Sequence, residues 1–193
     1  MENYLKKLRQ NAEERNIPIM SPQTEMFLTD QLLRYKPTLC VEIGSAIWYS
    51  TIFIASLIKE WQGQLISFEV SYPAYLEALL HIKDVQLTNI TLYPCSILTN
   101  DVTKFVPKKA GFFFVDGQKN QYGQYLQELE PIQAQESQII IDDVIKFRDK
   151  LHWLYEYLEK KQITYQIFPM EEGDGCMVIS NTCLLYTSDA ADE

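Results

Sequence analysis

The sequence predicts an α/β fold: a doubly wound, seven-stranded and mostly parallel sheet with a terminal antiparallel strand. Three observations support this prediction. Short apolar runs alternate with longer amphipathic stretches along the 193 residues. The apolar runs lack a regular alternation of polar and apolar residues, so helices should cover both faces of each strand. The last two runs are joined only by the short segment EEGDG, which predicts a hairpin-like antiparallel pair.

The elements follow one another in a β-α order after an N-terminal helix, whose apolar face carries Tyr4, Leu5, Leu8 and Ala12. Strands are predicted over residues 39–43, 65–68, 90–93, 111–115, 138–141, 164–168 and 176–180. Helices are predicted over residues 23–35, 50–60, 73–82, 98–105, 121–129 and 149–161. Right-handed crossovers between consecutive strands then make the sheet doubly wound. Because no repeat or linker interrupts this order, we expect residues 1–182 to form one domain.

The C-terminal segment at residues 183–193, CLLYTSDAADE, continues none of these patterns. It resembles the translated read-through of a vector or sequencing adaptor. We therefore expect residues 183–193 to be a non-native tail.

Composition limits where the protein acts and what it binds. The cysteines are scattered and form no C-x-x-C pair, which favours free thiols in a reducing cytoplasm over disulfides or zinc; they are Cys40, Cys95, Cys176 and Cys183. Neither a secretory signal nor a membrane helix is expected, because no run has the ~18 uncharged apolar residues that a membrane helix needs. With 17 basic and 26 acidic residues, the net charge of −9 disfavours nucleic acid as a partner. A folded RNA substrate stays open.

The candidate site follows from where the strands end. In a doubly wound sheet, ligands bind at the carboxyl ends of the strands, where the strand order reverses. The first strand leads into Gly44, which lets the backbone approach a ligand closely. Ser50 and Thr51 follow where a helix N-terminus can hold a carboxylate. Glu69 ends the second strand, where a carboxylate can bind both hydroxyls of a ribose; the alternative is a solvated acid.

A dinucleotide is disfavoured as the adenosine-containing ligand. The dinucleotide motif G-x-G-x-x-G lets the pyrophosphate sit on the start of the helix. The corresponding run, GSAIWY at residues 44–49, lacks two of the three glycines. NAD is therefore a weaker candidate than a smaller adenosine-containing cofactor.

Three carboxylates are expected at the same edge of the sheet. Asp116 ends the fourth predicted strand, and Asp142 and Asp143 end the fifth. Oxygen ligands of this kind suit Mg²⁺, Mn²⁺ or Ca²⁺. Since neighbours on a strand point to opposite faces, Asp142 and Asp143 can share one metal only if the backbone turns there. The alternative for Asp142 is a cap on the following helix.

Six segments between about Ile19 and Ser180 occur in the order found in a known family: IMSPQTEMFL, VEIGSAIWYST, ISFEV, FFFVDGQKNQY, IIIDDV and GDGCMVIS. They resemble motifs of the class I S-adenosylmethionine-dependent O-methyltransferases. Within that class, the resemblance is to the metal-dependent group that includes catechol, caffeoyl-CoA and bacterial tRNA hydroxyuridine methyltransferases. It implies a Rossmann-like methyltransferase fold and S-adenosyl-L-methionine as the cofactor.

The resemblance also implies roles for individual residues. The residues expected at the cofactor are Glu42, Gly44 and Ser50 at its methionine end, Glu69 at the ribose, Ser96 at the adenine and Asp116 at the rim. The residues expected at a divalent metal, with Mg²⁺ first, are Asp116, Asp142 and Asp143. Lys119 and Asp116 are the expected catalytic residues. Lys119 would take the acceptor's hydroxyl proton, since a nearby metal cation lowers the pKa of a lysine; the alternative is a solvent-exposed loop lysine.

The sequence departs from the family in four places. Trp48 replaces the second glycine of the cofactor motif, which costs roughly 1–2 kcal/mol in strain if that position needs a positive φ. Otherwise Trp48 shields the methionine end. Asp143 stands where the family usually has Asn, and PIQAQESQ replaces a Pro-Gly-Gly turn before the fifth strand. The insertion that covers the acceptor in many relatives is shortened, which predicts a more open acceptor site.

These observations lead to one main hypothesis and two alternatives. The main one is metal-assisted methyl transfer to a hydroxyl of a small, catechol-like acceptor or a modified nucleoside. The second is a metal-independent methyltransferase of a related family, although such relatives usually carry a His shortly after the D-G pair. The third is a catalytically silent fold that binds a partner protein. A homodimer interface is a further expectation, with the aromatic residues Trp153, Tyr155 and Tyr157 as candidates, although core packing also accounts for them.

Overall fold

Seven strands form one sheet: β1 (Leu39–Ile43), β2 (Gln64–Phe68), β3 (Ile90–Tyr93), β4 (Ala110–Val115), β5 (Gln133–Ile141), β6 (Gln166–Pro169) and β7 (Gly175–Ser180). Their spatial order is β3-β2-β1-β4-β5-β7-β6. Strands β1 to β5 run parallel, and β7 lies antiparallel to both β5 and β6. The predicted fold class is therefore confirmed, including the terminal antiparallel pair. The computed structural model describes residues 1–180, so the expected non-native tail at 183–193 lies outside the described residues.

Six helices pack on the sheet: α1 (Glu2–Glu14), α2 (Pro22–Tyr35), α3 (Tyr49–Ile58), α4 (Tyr72–Val85), α5 (Tyr122–Leu129) and α6 (His152–Lys161). Helices α2 and α4 begin alike, because Ser21 and Ser71 accept a hydrogen bond from the third residue on and a proline fixes the first turn. Among residues 1–180, none of the helices is long and apolar enough to cross a bilayer.

The core lies in two layers, one on each face of the sheet. One layer joins the sheet to α5 and α6, and the other joins it to α1, α2 and α3. The phenylalanines of β4 illustrate this division, since Phe113 packs into the first layer and Phe112 and Phe114 into the second. A strand covered on both faces carries apolar residues at consecutive positions, which explains why the apolar runs did not alternate.

The predicted helix over residues 98–105 is wrong. Only a short 3₁₀ turn, Val102–Lys104, forms in this segment. The reason is local, since polar side chains bond to the backbone in non-helical geometry. Asp101 accepts from the Thr103 N–H at 3.1 Å, and the Asn100 amide donates to the Ser96 carbonyl at 2.9 Å.

Strand β5 begins five residues earlier than predicted, within the segment PIQAQESQ. A 3₁₀ turn at Glu130–Ile132 leads directly into it, and the pairing with β4 shifts register between Ala110 and Phe112. The first residues of β5 are polar and partly exposed, so they lack the apolar signal that marks residues 138–141. The segment PIQAQESQ thus forms the end of a 3₁₀ turn and the first residues of a longer β5. These residues lie at the amino end of the strand, whereas the candidate site lies at the carboxyl ends.

The described cysteines are free thiols, as predicted. Cys40 and Cys176 are buried and Cys95 is half-buried. Cys183 lies outside the described residues. Burial raises the pKa of the Cys40 thiol well above its ordinary value, so this side chain behaves as a small apolar group.

Candidate cofactor and catalytic site

A cleft of about 520 Å³ opens at the carboxyl ends of the strands. Gly44 after β1, Glu69 after β2 and Asp116 after β4 lie in its wall. Strands β1 and β4 are neighbours although they are not consecutive, so the strand order reverses here. The site therefore lies where the doubly wound topology places ligands. A second cavity of about 20 Å³ shares Gly44 and Asp116 with the cleft and extends past Ser50 and Met20.

Gly44 is required by the close approach of two strand ends. Its φ is +84°, and an added Cβ would lie 2.5 Å from the carbonyl oxygen of Asp116 and 2.7 Å from the Cα of Gly117. No other residue type fits at this distance. The close approach seen at Gly44 is to the end of β4, and its approach to a ligand stays a prediction.

Glu69 anchors the loop that follows β1. One of its oxygens accepts from the backbone N–H groups of Ser45 and Ala46 at 3.1 and 2.9 Å, and the other accepts from the N–H of Ser71 at 2.7 Å. The side chain is only 7% exposed, so the alternative of a solvated acid does not describe it. Each carboxylate oxygen has two lone pairs, and the second oxygen keeps acceptor capacity for a ligand hydroxyl.

Trp48 adopts a left-handed backbone conformation, which is strained for tryptophan and which glycine, the residue of the related motifs, would adopt without strain. Its φ is +72°, so the strain of roughly 1–2 kcal/mol applies. The side chain is fully buried, and its indole N–H donates to the Ala74 carbonyl at 2.8 Å. Burying an indole stabilises the fold by more than this strain, since removing a buried Trp side chain typically costs about 3–5 kcal/mol. Trp48 packs into the core and lines neither cavity.

Glu42 was expected to contact the cofactor, but its side chain lies outside both cavities. It is fully buried beneath the loop. It accepts hydrogen bonds from Ser50 and Ser67, both at 2.6 Å, and from Thr51. Burial raises the pKa of Glu42 to about 7, although these hydrogen bonds oppose the rise. Glu42 thus acts on the small cavity indirectly, by holding Ser50 in its wall.

Ser96 lies after β3, and neither cavity includes it in its wall. Its hydroxyl accepts from the Leu98 N–H at 3.2 Å, and its carbonyl accepts from Asn100. These contacts shape the loop between β3 and β4. The role of Ser96 at the adenine stays a prediction.

Asp142 and Asp143 follow β5, and the backbone does turn between them, since φ of Asp143 is +64°. One oxygen of Asp142 accepts from the N–H of Asp143 at 3.0 Å and from the thiol of Cys176 at 3.2 Å. Burial, with Asp116 and Asp143 nearby, raises the pKa of Asp142 to about 7. The next helix begins only at His152, so Asp142 does not cap it.

Lys119 lies between two of the three carboxylates. Its ammonium contacts Asp116 at 2.6 Å, Asp143 at 2.5 Å and the hydroxyl of Tyr122 at 2.8 Å. The side chain is 16% exposed, which contradicts the alternative of a solvent-exposed loop lysine. Burial lowers the pKa of Lys119, but the attraction of Asp116 and Asp143 outweighs it and holds the pKa above its ordinary value. A lowered pKa was expected for Lys119 beside a bound metal cation, and for that case it stays a prediction.

The carboxylates themselves titrate differently. Burial raises the pKa of Asp116, although Lys119 opposes the rise. Burial also acts on Asp143, but the hydrogen bond with Asp174 and the contact with Lys119 hold its pKa below the ordinary value. Asp143 is therefore the carboxylate of this group whose negative charge the surroundings favour most strongly.

As these side chains are arranged, they do not fit a divalent metal. The ammonium of Lys119 holds the point between Asp116 and Asp143, and an oxygen of Asp142 faces the Asp143 N–H and the Cys176 thiol. In the part of the chain that the structure describes, no group of three or more His, Cys, Asp or Glu side chains could hold a metal ion. Metal binding stays a prediction from the sequence.

Other residues of the site were not assigned a role from the sequence. Tyr122 accepts from Lys119 and donates to the Asp142 carbonyl at 3.2 Å, and its place in FFFVDGQKNQY is the signal that could have found it. Tyr125 packs against Gly117 and lines the cleft. Arg15 lines the cleft as well, and nothing in its local sequence marks it.

Comparison with known proteins identifies the fold. No protein-family model matches the chain. An O-methyltransferase from Bacillus cereus, solved in complex with S-adenosylhomocysteine, is 18% identical, with a TM-score of 0.78 over 92% of this chain and 90% of that one. A Staphylococcus aureus protein provisionally described as a caffeoyl-CoA O-methyltransferase is 16% identical, with a TM-score of 0.80 over 91% of each chain.

A third structure extends the comparison to a cofactor-bound enzyme of biosynthesis. The O-methyltransferase of tomaymycin synthesis from Streptomyces achromogenes, in complex with S-adenosylmethionine, is 15% identical, with a TM-score of 0.75 over 92% of this chain and 88% of that one. At these identities the likeness concerns the fold. The chain has the Rossmann-like fold of S-adenosylmethionine-dependent O-methyltransferases along nearly its whole described length.

Proposed function

We propose that the protein is an S-adenosylmethionine-dependent O-methyltransferase that acts on a hydroxyl of a small, catechol-like acceptor or a modified nucleoside. The observation that carries this proposal is the cleft of about 520 Å³ walled by Gly44, Glu69 and Asp116. Its volume lies in the range of sites for small organic ligands. It also occupies the strand ends of a fold that is shared with cofactor-bound O-methyltransferases.

The residues of the cleft fit this cofactor. Gly44 lines the cleft without a side chain, and Glu69 keeps acceptor capacity for a ribose hydroxyl. Tyr49 and Ser50, at the start of α3, lie in the wall of the small cavity, and the first N–H groups of a helix are donors for a carboxylate. When bound, the cofactor supplies an electrophilic methyl group on a sulfonium. The chain's own residues orient it and exclude water around it.

The position of the Lys119 ammonium beside Asp116 supports a role for this side chain near the acceptor. In its present contacts the ammonium is a donor, since Asp116 and Asp143 hold its pKa above the ordinary value. Its three N–H groups are taken up by Asp116, Asp143 and Tyr122, so what it offers the acceptor is a positive charge that can stabilise negative charge developing on the acceptor's oxygen. Tyr122 fixes the ammonium from the protein side through its hydroxyl. Lys119 would leave this position to act as a base only if another cation replaced it between the carboxylates.

Metal assistance and metal independence are therefore both open, and one observation favours the second. The metal-dependent resemblance predicts a divalent cation at Asp116, Asp142 and Asp143. The ammonium of Lys119 already neutralises charge at Asp116 and Asp143. The alternative is methyl transfer in which Lys119 supplies the positive charge. A catalytically silent fold is the remaining alternative, and it predicts no cofactor binding.

The test is calorimetry with S-adenosylhomocysteine, followed by transfer of a labelled methyl group to catechol with and without Mg²⁺. We expect binding by the wild-type protein, and at least a tenfold loss of affinity in Glu69→Ala, which removes the carboxylate expected at the ribose. Asp142→Ala is the matched control, because Asp142 lines neither cavity. Absence of binding at millimolar ligand would refute the proposed function. Transfer that EDTA abolishes supports metal assistance, and transfer that EDTA leaves unchanged supports the role of Lys119.

A further inference from the structure

The segment directly after the N-terminal helix α1 contributes to the wall of the cofactor cleft. Arg15 and Ile17 lie in this wall together with Glu69 and Ala74. Both residues precede the segment on which the family resemblance rests, which begins at about Ile19. The cleft is therefore formed partly by a segment whose sequence gave no reason to place it there.

Helix α1 is attached to the rest of the protein through an apolar face and through polar contacts. Leu8 and Ala12 are buried in the core, and Tyr4 and Leu5 pack against it. At its two ends it is joined to α4, where Tyr4 bonds to His81 at 2.7 Å and Arg15 forms a two-pronged ion pair with Glu77, with one contact at 3.1 Å. The hydrogen bond from Arg15 lowers the pKa of Glu77, so this carboxylate is charged at neutral pH.

A second polar cluster fixes the middle of α1. Arg9 donates to the Met20 carbonyl and to the Tyr49 hydroxyl, both at 3.1 Å, and pairs with Glu25. Tyr49 begins α3, and both Tyr49 and Met20 line the small cavity. Helix α1 is thus tied to residues of the small cavity through Arg9, and to the α4 wall of the cleft through Arg15 directly after it.

We propose that residues 15–17, directly after α1, cover part of the cofactor cleft and that the Arg15–Glu77 ion pair is their clasp, which opens when an adenosine-containing cofactor enters or leaves. This inference rests on the proposed function. Both members of the pair line the cleft, so they lie at its mouth rather than behind it. Their side chains are 41% and 32% exposed, whereas those of Arg9 and Glu25 are 24% and 23% exposed. An exposed pair is weak enough to open repeatedly, while the less exposed Arg9 cluster holds the helix in place.

The backbone beside the clasp is suited to such movement. Helix α1 ends at Glu14, Asn16 has a φ of +53°, and residues 17–21 form neither helix nor strand before α2 begins. Few backbone hydrogen bonds hold a segment of this kind, and local opening concentrates in such segments. Opening of the clasp would move Arg15 and Ile17 away from the cleft without disturbing the strand ends.

The test is stopped-flow measurement of S-adenosylhomocysteine association and dissociation, followed by tryptophan fluorescence. The variants are Arg15→Glu, Glu77→Arg and the double variant that exchanges the two charges. We expect dissociation to accelerate about tenfold in each single variant, because an attraction becomes a repulsion, with no fall in the association rate. The double variant should return dissociation to within about twofold of the wild type.

The matched control is Lys161→Glu, which breaks the comparably exposed Lys161–Glu130 pair at the end of α6, away from the cleft. Thermal unfolding of every variant verifies that it is folded. Unchanged dissociation in both single variants, or no recovery in the double variant, would overturn the clasp. Slower association together with weaker binding would also overturn it, since that result indicates a damaged site. Failure of the wild-type protein to bind would instead refute the proposed function.

Discussion

Glu42→Gln should change how the stability of the protein depends on pH. The carboxyl of Glu42 is fully buried, and its pKa is raised from 4.5 to about 7. A raised acid pKa means that the folded protein holds the proton more tightly than the unfolded chain does. Stability contributed by the protonated carboxyl is complete below pH 4.5 and is lost as the pH rises toward 7. The difference of pKa corresponds to roughly 3 kcal/mol.

Glutamine cannot ionise, so this loss should be absent in the variant. The new amide NH2 can donate to the hydroxyls of Thr51 and Ser67, which rotate to accept, while the amide oxygen still accepts from Ser50, so the buried hydrogen bonds are kept. We expect the free energy of unfolding of Glu42→Gln, relative to wild type, to improve by roughly 3 kcal/mol between pH 4 and pH 8. Urea unfolding at several pH values measures it.

The control for the lost charge is Glu60→Gln, which removes an exposed carboxyl just beyond α3. All other ionisable groups are common to the wild type and Glu42→Gln, so their contributions cancel in the comparison. A difference between these two proteins that stays constant from pH 4 to pH 8 would refute the argument. It would mean that the folded protein accommodates the buried charge without cost.

Two further predictions concern the loop after β1. Gly44→Ala should abolish S-adenosylhomocysteine binding and destabilise the fold by more than about 2 kcal/mol, because its Cβ would overlap the Asp116 backbone. In Gly173→Ala, where φ is +76° but nothing lies within 4 Å, calorimetry and thermal unfolding should show only a small backbone cost. Trp48→Gly should still destabilise by about 2 kcal/mol in urea unfolding, since it relieves roughly 1–2 kcal/mol of strain but loses about 3–5 kcal/mol of core packing; a stabilised variant would contradict this.

The strand positions could be predicted because burial on both faces produces unbroken apolar runs. Ile90–Tyr93 and Leu39–Ile43 match the prediction at both ends. The start of β5 could not be found in the same way, since its first residues are polar and half-exposed at the edge of the sheet. The segment at 98–105 was misassigned because side-chain bonds from Asp101 and Asn100 compete with helical backbone bonds, and spacing of apolar residues does not report that competition.

The site was predictable as far as it depends on strand ends. Gly44, Glu69 and Asp116 line the cleft because each follows a parallel strand at the same edge of the sheet. The direction of Glu42 was not predictable, because in a strand that is buried on both faces no polar alternation reveals which side faces the ligand. Arg15 was not predictable either, since its place at the cleft depends on how α1 packs across α4.

The departure at Asp143 and the position of Lys119 are two aspects of one arrangement. A relative with Asn at this position would offer the lysine one carboxylate, Asp116, whereas this chain offers two at 2.6 and 2.5 Å. The second carboxylate is also the one whose pKa is lowered, so it keeps its charge when Asp142, with a pKa of about 7, begins to take up a proton. The substitution therefore strengthens the hold on the ammonium more than it favours a metal among the three acids. Any divalent cation at this point must first displace Lys119 from two carboxylates, and the outcome of that competition decides whether the lysine acts as a donor or as a base.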